Sequence, residues 1–202
     1  MKSQRPQQWI RGSVVLSDKD ILARCEGHTH HGPLVDPLIS PFRRDNLQPA
    51  SVDLTLGSLF LEPITFPWTD GIELTSDHRP QYNKMYVDQY TLDTNKFVLA
   101  STVEQVSIPD DLVSSIEGKS SLARLGLFVH ITAGWIDSGF RGTITLEIVN
   151  MNPNPVILRP GMRICQIAFQ QLSSPAMKPY GSEGLRSKYQ NQSETTTSRY
   201  AG

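Results

Sequence analysis

The residues able to do chemistry gather between Glu117 and Asn150: a Gly118-Lys119-Ser120-Ser121 turn, then Arg124, His130, Asp137 and Glu147. In Thr143-Ile144-Thr145-Leu146-Glu147-Ile148-Val149, strand alternation sends Ile144, Leu146 and Ile148 to one face and Glu147, with Thr143, Thr145 and Val149, to the other. A carboxylate so placed is either a solvated surface acid or an acid aimed into a pocket; the first is the ordinary case, since unpaired glutamates are rarely buried. The turn offers backbone N–H groups, two hydroxyls, an ammonium and the Arg124 guanidinium, a set that can cradle phosphate.

Several familiar machines are excluded. A nucleotide-hydrolase P-loop needs a glycine where Val113 stands, and a long helix after the lysine, which Gly126 interrupts. A zinc deaminase needs His-x-Glu and Pro-Cys-x-x-Cys; the only cysteines are Cys25 and Cys165, so no zinc is expected. Ser120 and His130 lack a Gly-x-Ser-x-Gly elbow, and His130, between Val129 and Ile131, reads as a structural strand residue. His28, His30 and His31 have no carboxylate or cysteine at ligand spacing and read as a solvated loop.

The elements that must position these groups are short. With 14 prolines and 14 glycines scattered between apolar runs, the 202-residue chain predicts an all-β domain with many turns. Lys and Arg total 19 against 20 Asp and Glu, a balance that argues against a nucleic-acid binder but leaves a small anionic ligand open. With no apolar leader and no run of about 18 apolar residues, neither secretion nor a membrane is indicated, and a reducing cytoplasm is expected. A short helix is expected from Asp18 to about Glu26, capped by Ser17 and stopped by Gly27. Strands are expected over Gln48–Gly57, Phe97–Ala100, Leu112–Glu117 and Met162–Phe169, with turns at Pro109-Asp110-Asp111 and Arg159-Pro160-Gly161. Residues 1–172 form the expected domain, frayed over 1–12 and with an irregular insert at 63–90; residues 173–202 read as a disordered end or as a flexible lid over an anion.

Several motifs in order resemble the dCTP deaminase family of the trimeric dUTPase superfamily. They are Gly118-Lys119-Ser120-Ser121-Leu122-Ala123-Arg124, His130-x-Thr132-Ala133-Gly134, Ile136-Asp137, Thr145-Leu146-Glu147 and Arg159-Pro160-Gly161-Met162, with Gln48-Pro49-x-Ser51-x-Asp53 upstream and Pro179-Tyr180-Gly181 in the tail. The resemblance implies a distorted jelly-roll β-barrel forming a homotrimer with active sites between subunits. It implies metal-free deamination at the pyrimidine C4, with Glu147 as the acid–base catalyst and the Ala133 carbonyl and Ser120 holding the water. Arg124 would order the glutamate. Lys119, Ser121, Gln166, Tyr180, Lys188 and Gln192 match positions around the triphosphate, Leu122, Ala123, Thr145 and Leu146 further substrate-binding positions, and Asp137 the partner of the deoxyribose 3′-OH. Mg²⁺ would arrive on the phosphates, dCTP and dUTP would be ligands, and dTTP an inhibitor.

Ala133-Gly134-Trp135-Ile136-Asp137-x-x-Phe140-x-Gly142 also resembles the water-activating motif of dUTPases, as Arg163-Ile164-x-Gln166 resembles their Arg-Ile-x-Gln segment. Bifunctional members mostly carry Gly-Phe where Gly134-Trp135 stands. The expected reaction is therefore dCTP to dUMP and diphosphate, supplying dUMP for thymidylate synthesis, with glycine leaving room for a second water that Asp137 orients. Rival readings are a deaminase releasing dUTP, a dUTPase alone, and a non-catalytic nucleotide sensor. Thr55 departs from the arginine common in the family's Asp-x-Arg-Leu-Gly.

Overall fold

Antiparallel pairing does nearly all the structural work in this chain. The structure, a computed structural model, describes residues 14–26, 36–64 and 81–200. The readings for residues 1–12, for His28, His30 and His31, for the Gly27 stop and for residues 65–80 of the insert lie outside them.

In chain order the first strands are β1 (Ile39–Ser40), β2 (Leu47–Gln48), β3 (Ser51–Thr55), β4 (Leu59–Pro63), β5 (Tyr82–Tyr86), β6 (Tyr90–Leu92) and β7 (Phe97–Ser107). There follow β8 (Leu112–Gly118), β9 (Leu127–Phe128), β10 (Trp135–Ile136), β11 (Arg141–Asn150), β12 (Val156–Leu158) and β13 (Arg163–Gln171). The helices are α1 (Asp18–Cys25) and the single turn α2 (Ser120–Ala123). One sheet runs β5-β4-β7-β11-β9, with β1 on β7; a second runs β10-β8-β13-β3-β2; β12 and β6 form a ribbon. The core lies between the sheets, where Leu54, Phe60, Leu146, Ile148, Ile167 and Phe169 are almost fully buried. The chain is thus all-β, as its turn-rich composition predicts.

Alternation in β11 holds: Leu146 and Ile148 are buried in the core while Glu147 and Val149 on the opposite face are half-buried. The β13 run is central, flanked by β8 and β3, which is why its sequence is nearly continuously apolar. The turn before it closes with Met162 N–H donating to the Arg159 carbonyl, and Gly161 supplies the positive φ of 83° that the third position of a type II turn requires.

Four expectations are corrected. The Gln48–Gly57 strand is a hairpin, β2 and β3 joined at Pro49-Ala50, because proline cannot donate to a ladder. Ser17 places its hydroxyl on the Asp20 carboxylate and makes no side-chain cap on α1. His130 stands outside the strands, in the loop between β9 and β10. The end of the insert is regular, with β5 paired along the whole of β4.

The Phe97–Ala100 strand extends to Ser107 and carries an irregularity: between the pairs Thr143–Gln105 and Thr145–Ser101 it has three residues to the one of β11. That excess turns Glu104 inward, where its carboxylate accepts from Thr55 N–H at 2.9 Å and Thr55 Oγ at 2.7 Å. Thr55, the departure from the family pattern, is here the partner of a buried acid.

Residues 173–200 lie along the β11 side of the first sheet. Thr143 N–H donates to the Gln192 carbonyl, and the Gln192 side chain returns a bond to the Thr143 carbonyl. Gly142 makes this possible: a Cβ there would lie 2.5 Å from the Gln192 carbonyl oxygen. Farther on, buried Thr195 donates to the Leu59 carbonyl, and Glu194 pairs with Lys84 at 2.9 Å.

Candidate active site

The face of β11 that carries Thr145 and Glu147 opens into a cavity of about 500 Å³. Its floor is β11 and β7, its rim the 133–137 loop, and its cover the tail residues Tyr180, Tyr189, Gln192 and Thr196–Ser198. Glu147 accepts a hydrogen bond from Ile131 N–H at 3.2 Å. Burial raises the pKa of its carboxyl above the ordinary glutamate value, opposed in part by the Ile131 and Glu147 amides and by His130. A carboxyl tuned upward binds and releases protons nearer neutrality, which is what a group alternating between base and acid requires. The pocket reading of Glu147 thus prevails over the solvated one.

Of the residues singled out in the sequence, Ala133, Trp135, Asp137, Thr145, Glu147, Tyr180 and Gln192 line this cavity. The Phe140 and Tyr180 rings meet edge-on at 5.7 Å, and Tyr180 Oη accepts from Tyr189 N–H, so the tail brings both aromatics to the same end. The lining also includes Tyr82, Phe97, Leu99 and Thr196, which the sequence reading passed over. Phe97 and Leu99 were findable, since alternation places them together on one face of β7; Tyr82 and Thr196 carry no local signal.

Gly134 also has a structural reason, independent of any role in catalysis. A Cβ there would stand 2.6 Å from the Ile116 carbonyl oxygen and 3.2 Å from the His130 ring. The glycine lets the loop close onto β8, with Ile116 N–H donating to the Gly134 carbonyl at 2.7 Å.

The turn that follows β8 lies elsewhere. Lys119, Ser120, Ser121, Leu122, Ala123 and Arg124 stand outside the cavity lining, and Ser120, Ser121, Ala123 and Arg124 are exposed. The turn packs beyond the far end of β11, where Met151 N–H donates to the Gly126 carbonyl and the Asn152 amide to that of Leu125. Gln166 is held between Ser51 Oγ and the Gly118 carbonyl, Leu146 points into the core, and the Lys188 ammonium sits 5.6 Å from the centre of the Tyr200 ring.

Lys119 is already engaged: its ammonium donates to Asp53 at 2.5 Å, with Asp53 only 2% exposed and Arg163 at 3.9 Å from the other carboxylate oxygen. One of three ammonium donors is used, and two remain to meet an anion. The pair is asymmetric. Lys119→Met strands a buried carboxylate and is expected to cost about 3 kcal/mol, at the low end for such breaks because Arg163 stays nearby. Asp53→Asn frees a lysine that can reach water and should cost about 1–2 kcal/mol. Urea unfolding midpoints check this order; equal losses would mean that Asp53 does not depend on Lys119.

The sequence pattern of the dCTP deaminase-like family matches residues 15–172. The chain is 42% identical over 192 residues to the dCTP deaminase, dUMP-forming, of Methanosphaera stadtmanae, covering 92% of this chain and 93% of that one. It is 44% identical over 196 residues to the dCTP deaminase of Haloarcula marismortui, covering 94% and 96%. Among solved structures, the 2′-deoxycytidine 5′-triphosphate deaminase of Agrobacterium tumefaciens superposes with a TM-score of 0.61 at 23% identity. That match covers 80% of this chain and 49% of the other, and speaks for the fold alone. By its sequence, its fold and its ordered motifs, the chain belongs to the dCTP deaminase-like family.

Proposed function

We propose that the chain is an enzyme that deaminates dCTP at C4 and then releases diphosphate, so that dCTP and two waters give dUMP, ammonia and diphosphate. The observation that carries the first step is the half-buried Glu147 carboxyl, raised in pKa and lining a cavity. Glu147 takes a proton from water as the oxygen bonds to C4, and passes it to N3. The carboxylate then takes the proton of the new C4 hydroxyl and delivers it to the exocyclic nitrogen; the C4–O bond becomes a carbonyl as the C4–N bond breaks and ammonia leaves. One poised carboxyl alternating between these roles is worth about 10²–10⁴-fold. Ser120 and the Ala133 carbonyl hold the water, and Arg124 orients the glutamate.

In this reading the working unit is a homotrimer, and Ser120 and Arg124 come to Glu147 from a neighbouring copy. Support comes from the position of the turn outside its own chain's cavity and from exposed Leu125, Phe128, Ile131 and Met151 around it, apolar surface that another subunit would cover. Asp137 holds the 3′-OH and orients the second water, which attacks the α-phosphorus as diphosphate leaves. Lys119, Ser121, Gln166, Tyr180, Lys188 and Gln192 serve the triphosphate, and the tail is the lid over it. Mg²⁺ enters on the phosphate oxygens of the substrate. dTTP occupies the same cavity as an inhibitor. Among the described residues no helix is long and apolar enough to cross a membrane, and the two buried free thiols suit a reducing cytoplasm.

Purified protein given dCTP and Mg²⁺ should yield one diphosphate per ammonia, with dUMP as the product. Accumulating dUTP without diphosphate would remove the second step, and no ammonia at all would remove the first.

A further inference from the structure

A triphosphate calls for uncompensated positive charge, and Lys119 by itself does not provide it. Its ammonium keeps two donors, but its charge is paired at 2.5 Å with buried Asp53, so the two together are neutral. Arg163 tips this balance. Its guanidinium stands 3.9 Å from the second Asp53 oxygen, and its side chain is 46% exposed. Two cations against one carboxylate leave an excess of one positive charge, and Arg163 presents it to solvent.

A bulge brings Arg163 to this face. Gln166 pairs with Asp53 and Arg163 with Thr55, two steps along β3 but three along β13. In a regular strand, residues three apart point to opposite faces, and Arg163 would turn away from Gln166. The extra residue in β13 reverses that parity, so Arg163 and Gln166 share the face on which Asp53 stands. Lys119 arrives from β8: Gly118 pairs with Cys165, and Lys119 continues past it toward the Arg163 end of β13. The guanidinium is held in place as well. Its Nη2 donates to the Asp45 carbonyl at 2.9 Å, while Gln166 is fixed between Ser51 Oγ and the Gly118 carbonyl. Asp45 takes one of the guanidinium's five N–H donors, and the rest of the fork suits phosphate oxygens.

Resting on the triphosphate reading of Lys119 and Gln166 above, we propose that Arg163 is a further triphosphate-binding residue, whose guanidinium supplies the uncompensated positive charge beside them. Asp53, buried between the two cations, fixes both while cancelling the charge of one. In the proposed trimer Arg163 serves, with Ser120 and Arg124, the cavity of a neighbouring copy.

The test compares the full-length wild type with Arg163→Gln and Arg163→Lys. Ammonia release from dCTP gives KM and kcat; inorganic tripolyphosphate, added alone, is read by the melting temperature. Arg163→Gln should raise KM about tenfold with kcat within about threefold, the loss of one charge-assisted contact to phosphate. Tripolyphosphate should raise the melting temperature of the wild type and raise that of Arg163→Gln clearly less. Arg163→Lys keeps the charge without the fork and should fall between the two. An Arg163 that only braced Asp53 and Asp45 would lower the unliganded melting temperature and leave KM and the tripolyphosphate shift as in wild type. That outcome overturns the proposal, as does a wild type that tripolyphosphate does not stabilise. Where Arg163→Gln does not fold, Arg163→Lys decides: a KM raised about threefold supports the role, and an unchanged KM overturns it. If dCTP yields no ammonia while the shift still depends on Arg163, the substrate reading fails and the anion site stands.

Discussion

Glu147→Gln chains and Ser120→Ala chains, each nearly silent alone, should regain ammonia release when unfolded together in equal amounts and refolded. The expected recovery is about a quarter of wild-type activity, because in a randomly mixed trimer each site draws Glu147 from one copy and Ser120 from the next. Alone, Glu147→Gln should lose about 10²–10⁴-fold, the range for removing a general acid–base group. The prediction follows from where the chain puts its parts. Glu147 faces the cavity from β11, while Ser120 and Arg124 sit on an exposed turn beyond the end of that strand. Water attacking C4 needs the carboxylate and a hydroxyl within about 3 Å of one point. A site built within one chain would show no recovery in the mixture, and that outcome would sink the shared-site reading.

How far the sequence foretold this arrangement differs from element to element. Glu147 was legible because a strand's alternation is local: Leu146 and Ile148 report the core face, and the acid must oppose them. The Arg159–Met162 turn was legible for the same reason, since its conformation is demanded by two adjacent residues. Asp53 and Glu104 were not. Their partners lie 66 and 49 residues away, and nothing near either acid announces that it will be buried. The tail was half legible. Its resemblance marked Tyr180 and Lys188, but Thr195 and Thr196 fell within the stretch read as a disordered end or lid, and only pairing with Leu59 and Thr145 gives those two residues a place. Gly134 shows the limit of motif reading: the residue was identified, yet the close approach to Ile116 that requires it could be seen only in three dimensions.

Asp137→Asn should separate the two steps of the proposed reaction. Asparagine keeps the size of aspartate and an oxygen that can accept from the 3′-OH, so nucleotide binding should survive. It cannot take a proton from water or hold one by charge. Ammonia release is expected to stay within about tenfold of wild type, whereas diphosphate release should fall by about 10²-fold or more. dUTP would then accumulate. The geometry favours this division because Asp137 and Glu147 approach the cavity from different elements: Asp137 is exposed at the rim just after β10, and Glu147 is half-buried on β11. Trp135, 62% exposed, lines the same rim two residues before Asp137. The ratio of diphosphate to ammonia is the deciding number. If it stays at one while both rates drop together, Asp137 serves binding alone, and the second water must be activated by another group at the same rim.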